Sequence, residues 1–383
     1  MTYFIDSMSG AKSYRAMIIH VTRPFLPPLE EFLPSLERIW ESRILSNGGP
    51  NHIQLEAALC ATLKVKHVSL FNNGSLALLA ALRALDLQDA EIITTPYSFV
   101  ATSNMIVWGG NTPVFVDIEP GSTNIDPAKI EAAITPKTKA ILAVHCYGHP
   151  CNTHKIAAIS SKHNLKVVYD AAHAFGIETE GSILNYGDLS ILSFHATKVF
   201  NTFEGGAIIC HTPEMKVRID RMKNFGFLGE TQVDDIGINA KMPEINAALG
   251  LLQLKYFEKI TAMRAAIDTL YRTQLQGVSG IKCLENCYAT KRNYSYFPVR
   301  VMASYPMARD ELYELLKTHG IYARRYFYPL ISQFKPYFDF PSSAPRNLPV
   351  AMEIAEQILC LPMYPELSLK IVKSICEIIR SQK

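Results

Sequence analysis

The sequence predicts an α/β protein, with a large domain built on a mainly parallel sheet and a smaller C-terminal α+β domain. Short apolar runs of strand length alternate with helical patterns from Val68 onward, which implies parallel βαβ units. The 383 residues suffice for one large domain plus a second, and 48% hydrophobic content can fill both cores.

Residues 1–18 carry no clear periodicity and are expected to form an N-terminal extension; the stretch from Met1 to Met17 lacks the apolar core of a secretory signal. Pro27-Pro28 opens a helical pattern that runs to Trp40, and Ser46-Asn47-Gly48-Gly49-Pro50 closes it as a loop. A second helix is predicted over 53–63. Strands follow at 68–71, 91–95, 113–117, 139–145, 166–170, 191–194 and 207–210, with helices at 76–85, 100–108 and 152–163 between them. A long helix over 246–274 carries the chain out of the large domain, placed at 19–260, and into the small one, at 261–383. There the alternation at 294–301 reads as a strand, and 309–319 and 351–359 read as amphipathic helices.

Composition narrows the function classes. The net charge is +3, and the Lys and Arg residues are scattered rather than run together, so nucleic acid is not an expected partner. The longest apolar stretches, such as 139–145, fall far short of the ~20 residues a membrane-spanning helix needs, so no membrane anchor and a cytoplasmic location are expected. Eight cysteines lack Cys-x-x-Cys spacing and read as reduced core residues; Cys283 and Cys287 have no second ligand pair, so no metal is assigned.

Lys198 stands between an apolar run and a glycine pair, with Ser193, His195 and Thr197 close by in sequence. A partly desolvated lysine loses its proton readily and can form a Schiff base with a carbonyl, whereas alone it reads as a solvated loop lysine. Glu204-Gly205-Gly206 is expected to let the backbone turn before the next strand. In Asn72-Asn73-Gly74-Ser75-Leu76 a strand passes into a helix start, where free N–H groups, the helix dipole and a hydroxyl favour a phosphate; the plain reading is an N-cap.

Asp170 ends a predicted core strand, at the sheet edge where open α/β sheets bind ligands. A buried carboxylate there would keep a pyridine nitrogen protonated; the plain reading makes Asp170 the N-cap of a following helix. Small residues at 171, 172 and 174 leave room for a flat ring, and Tyr97 and Phe99 offer aromatic faces for stacking, or else core packing. Phosphate cradle, stacking ring, carboxylate and lysine, at four strand ends, are what a pyridoxal phosphate site requires.

From about Val21 onward these residues, in this order, resemble the DegT/DnrJ/EryC1/StrS family of sugar aminotransferases. The most specific matches are Asn73-Gly74-Ser75-x-Ala77-Leu78, the run from Thr95 to Thr102, Asp170-Ala171-Ala172-His173-Ala174-x-Gly176, Ser193 to Lys198, and Glu204-Gly205-Gly206-Ala207. The resemblance implies a pyridoxal-phosphate-dependent transferase of fold type I, like aspartate aminotransferase. It implies that Lys198 holds the cofactor as a Schiff base, that Asp170 pairs with the pyridine nitrogen and that Phe99 stacks on the ring. Gly74, Ser75 and Ser193 would hold the phosphate, and His173 would lie near the phenolic oxygen.

Gly237-Ile238-Asn239-Ala240-Lys241-Met242 matches a family segment whose Asn239 would reach the phosphate across a homodimer interface; Lys241 stands where many members have Arg. The implied reaction is ping-pong amination of a nucleotide keto-sugar with L-glutamate as donor and Lys198 as proton shuttle. Within the family the likeness points to amination of dTDP-4-dehydro-6-deoxy-D-glucose at C4, for O-antigen synthesis, with a 3-keto specificity as the rival. Members with His at the lysine position dehydrate, so Lys198 points to amination. Arg324-Arg325-Tyr326 falls in an Arg/Tyr-rich family segment, where a guanidinium could meet the pyrophosphate or simply be solvated. A non-catalytic, regulatory cofactor-binding protein is one alternative; a Rossmann oxidoreductase is another, without Gly-x-Gly-x-x-Gly to support it.

Overall fold

Apolar runs rich in Ile, Val and Leu make strands that bury both faces, and such strands need helices on both sides. A computed structural model describes residues 18–285 and 288–382 and shows this arrangement. In chain order the first elements are β1 (Ile19–His20), α1 (Leu29–Ser42), α2 (Pro50–Leu63), β2 (His67–Phe71), α3 (Gly74–Ala84), β3 (Glu91–Thr94), α4 (Ala101–Trp108) and β4 (Thr112–Phe115). There follow α5 (Pro127–Ile130), β5 (Thr138–Val144), α6 (Thr153–His163), β6 (Lys166–Asp170), β7 (Leu189–Ser193), β8 (Gly206–Cys210), α7 (Pro213–Met222) and α8 (Glu244–Leu275). The last stretch adds β9 (Ile281–Cys283), β10 (Phe297–Val301), α9 (Arg309–Thr318), β11 (Ile321–Tyr322), α10 (Pro349–Gln357), β12 (Ile358–Leu361) and α11 (Leu369–Arg380). The expected extension up to residue 17, and Cys287, lie outside the described residues.

Seven strands form the main sheet in the order β2-β8-β7-β6-β5-β3-β4. The pairs from β7 through β4 are parallel, as expected, while β8 runs antiparallel to both β2 and β7. Strand direction leaves no trace in an apolar pattern. Because β8 is reversed, the C-terminal ends of β2, β6 and β7 and the start of β8 share one sheet edge. On one face of the sheet Ala77, Leu78 and Ala81 of α3 pack with Ile219 and Met222 of α7; on the other, Leu55, Leu59 and Leu63 of α2 pack with Ala247 and Phe257 of α8.

In the C-terminal part β12-β10-β9 form an antiparallel sheet. The strand expected at 294–301 begins at Phe297, and the helix expected over 351–359 ends at Gln357 and passes directly into β12. Helix α8 is continuous, yet it changes partners along its length: Phe257 and Ile260 pack in the core of the large sheet, and Ile267, Tyr271 and Leu275 in the C-terminal core. Ile19 also packs in that C-terminal core, through the parallel pairing of β1 with β11. No helix among the described residues is long and apolar enough to cross a membrane.

Candidate active site

The strand ends at the shared edge set the first residues of the site. Asn73 caps α3, its side-chain oxygen accepting the Leu76 N–H at 2.8 Å. Capping leaves the first-turn N–H groups of Gly74 and Ser75 without intrahelical partners. Gly74 abuts the end of β7: a Cβ placed on it would come within 3.0 Å of the Ser193 Cβ. Ser193 therefore lies directly against the start of α3, where Gly74 and Ser75 present N–H donors at a positive helix end, an arrangement that suits a phosphate.

The glycine pair does something other than turn the chain. A Cβ on Gly205 would fall 2.1 Å from Thr202 Oγ1, and one on Gly206 2.6 Å from the Asn73 carbonyl carbon, so Gly205 serves close approach within its own loop and Gly206 close approach to the α3 start. The loop between β7 and β8 closes through Phe194 N–H to the Gly205 carbonyl (2.8 Å) and Thr202 N–H to the Phe194 carbonyl (2.9 Å). Lys198 sits in this loop, its N–H donating to the His195 carbonyl at 2.8 Å.

Asp170 ends β6, and no helix follows it, so the N-cap reading fails. Its carboxylate accepts the Thr102 hydroxyl at 2.8 Å and the Ala172 N–H at 3.1 Å. Burial pushes its pKa up, opposed by those two donors and by the Lys198 ammonium. Lys198 makes no ion pair among the described residues. Desolvation brings its pKa down to about 8, with Asp170 pulling the other way. His173 is buried and held neutral: desolvation, then the nearby Lys198 charge, push its pKa well below the usual value. Phe99 is 61% exposed just before α4, the helix that supplies Thr102, whereas Tyr97 is fully buried against Tyr147 and Phe327.

The cleft beside Lys198 gathers Ala172, His173, Ser193 and Thr197 from the large sheet. It also gathers Asn293, Ser295 and Tyr296, which sequence reasoning missed because they lie in no contiguous motif. Asn293 Nδ2 donates to the carbonyls of His173 and Phe175, each at 2.9 Å, and the Ser295 hydroxyl donates to the His173 carbonyl at 3.0 Å. Thr102 was missed too, although it stands one helical turn after Phe99 in a quoted motif.

Two expected groups stand apart in this chain. Asn239 is exposed, in a bridge opposite Asn224, on a segment tied to the site by the Asn72 N–H donating to the Ala240 carbonyl at 2.9 Å. Lys241 lies over the Phe225 ring, 5.1 Å from its centroid. Arg324 is exposed, and Arg325 is committed to Asp310 at 2.8 Å and to the Tyr313 ring.

A buried carboxylate with no bonded cation, an amine near neutrality without an ion-pair partner, and a donor-lined helix start match the three polar ends of pyridoxal phosphate, and the residues present fit that group. Fold and site together define a pyridoxal-phosphate-dependent enzyme with the aspartate-aminotransferase architecture. The DegT/DnrJ/EryC1/StrS aminotransferase family matches residues 29–380, and the chain belongs to that family of transaminases.

It is 53% identical over 366 residues to a dTDP-4-amino-4,6-dideoxy-D-glucose transaminase of Shigella dysenteriae, covering 95% of this chain and 99% of that one. Identity to an Escherichia coli transaminase of the same name is 50%, over 94% and 98%. Among solved structures, DesI in the presence of its TDP-sugar product superposes with a TM-score of 0.89 at 32% identity, covering 95% of this chain and 92% of that one.

Proposed function

We propose that this transaminase transfers the amino group of L-glutamate to C4 of dTDP-4-dehydro-6-deoxy-D-glucose, giving dTDP-4-amino-4,6-dideoxy-D-glucose for O-antigen synthesis in the cytoplasm. The observation that carries the amination is Lys198, a half-buried amine with a pKa near 8, on the sheet edge that also holds Asp170. The sugar and the carbon rest on identity of 50% and more, over nearly full length, with two transaminases named for that product.

When bound, pyridoxal phosphate supplies a ring that takes up the electron pair released as a proton leaves the carbon bearing nitrogen. Gly74, Ser75 and Ser193 hold its phosphate, Asp170 keeps its ring nitrogen protonated, Phe99 covers a face and His173 stands by the phenolic oxygen. The Lys198 amine is poised to accept a proton and return it, since its pKa lies close to the working pH. The working unit is a homodimer in which Asn239 of each subunit reaches the other's phosphate. Exposed apolar side chains such as Trp40 (71%) and Ile236 (73%) support such an interface. Residues 19–260 and 261–383 act as the two domains, joined within α8, with β1 of the first lending Ile19 to the core of the second.

The test is incubation of the enzyme with dTDP-4-dehydro-6-deoxy-D-glucose and L-glutamate, with NMR of the product. An amine at C4 is expected. Turnover confined to a 3-keto substrate would move the assignment to C3. A cofactor absorbance unmoved by glutamate would make the protein a regulatory cofactor binder.

A further inference from the structure

His173 is locked in one tautomer. Its Nδ1 accepts the Tyr147 N–H at 3.1 Å, and the ring is neutral, so its single proton lies on Nε2. The Tyr296 hydroxyl lies 3.3 Å from that nitrogen and, on this tautomer, accepts there. Its own proton must point elsewhere, and among the described residues the hydroxyl has no other hydrogen-bond partner. Burial pushes the phenol pKa upward, so that proton is retained. A half-buried hydroxyl that lines a cleft with its proton uncommitted is free to donate to a ligand oxygen.

The place of Tyr296 is fixed and central. Asn293 and Ser295, just before it, are bonded to the main chain of His173 and Phe175, and Phe297, just after it, starts β10. Tyr296 lines the Lys198 cleft and also the adjoining one, together with Thr22, Thr197, Tyr326 and Met363. Apart from Lys198, no Lys or Arg among the described residues lines either cleft. Buried Arg264 nearby spends its Nη1 on the carbonyls of Tyr294, Ser295 and Met363. The neutral hydroxyl and amide donors that line the clefts suit sugar oxygens.

We infer that Tyr296 donates a hydrogen bond to a hydroxyl or carbonyl oxygen of the keto-sugar held against Lys198, and so helps to select that substrate; this rests on the sugar amination proposed above. The two half-reactions separate this role from others. In the cofactor-loaded Tyr296→Phe enzyme, kcat/KM for the keto-sugar half-reaction should fall about tenfold, while the glutamate half-reaction stays within about twofold of wild type.

Equal losses in both halves would mean that Tyr296 acts only through His173, and a loss confined to glutamate would make it a carboxylate reader. Either result, or no change, overturns the inference. Should the Phe variant fail to hold cofactor, Tyr296→His, which keeps a ring donor, is measured in the same way. A sugar half-reaction within about threefold of wild type supports the role, and equal losses in both halves overturn it. A wild-type enzyme that leaves the keto-sugar unaminated, while still reacting with glutamate, would show the failure of the underlying reading in the control.

Discussion

Two parts of the molecule meet at Lys198, and they reach it by different means. The large sheet presents Asp170, Ser193 and the α3 start from strand ends fixed by the ladder, parallel at Asp170 and antiparallel, through β8, at Ser193 and at the end of β2. The C-terminal part presents Asn293, Ser295 and Tyr296 from a four-residue approach to β10, held by side-chain bonds to the carbonyls of residues 173 and 175. Groups that must hold and move a proton stand on the rigid edge. On the role inferred for Tyr296, groups that meet the outer part of a substrate arrive by docking, where exchange of a few residues would change selectivity without disturbing the sheet.

The largest effect should come from the sheet side. Lys198→Ala is expected to lower turnover by about a thousandfold or more and to remove the visible absorbance of the lysine-linked cofactor. Near-normal turnover would end the assignment of Lys198 and with it this side of the contrast. On the docking side, Asn293→Ala removes the side-chain donor at the Phe175 carbonyl and one of the two at the His173 carbonyl. The expected cost is about 2 kcal/mol of stability in a denaturant melt, with turnover down about tenfold. An unchanged melt and unchanged turnover would show that the two parts meet without this stitch.

The smallest effect is a pH dependence. Only the neutral amine attacks a carbonyl, so the rate at which cofactor-free protein takes up pyridoxal phosphate should rise with pH and level off above about 8. Because the Asp170 charge favours the ammonium, Asp170→Asn should move that midpoint further down, not up. A stopped-flow midpoint near the ordinary lysine value would contradict the desolvation of Lys198.

The same contrast decides what the sequence made readable. Asp170, Ser193 and Lys198 sit where an apolar run breaks into small and polar residues, a change visible in one dimension. Asn293 and Tyr296 both precede β10, which starts three residues later than the sequence predicts because Tyr294-Ser295-Tyr296 alternates as a strand would. Strand β12 hid inside a helical pattern because Ile358 and Leu359 continue the apolar spacing of α10. β1 and β11, two residues each, are too short to show any period. The glycine pair at 205 and 206 was visible, but its reason was not, because the atoms it makes room for lie at Thr202 and Asn73.

Helix α8 carries a mechanical consequence. Near its start, Asn246 Nδ2 grips the carbonyls of Thr202 and Glu204 at 2.7 and 2.8 Å, in the loop that bears Lys198, while Tyr271 and Leu275 in its last turns are bedded against the C-terminal sheet. An uninterrupted helix of 32 residues is a stiff strut, bending only gently unless a proline or bulge breaks it. A tilt of the C-terminal part would therefore move the end of the strut that grips the lysine loop.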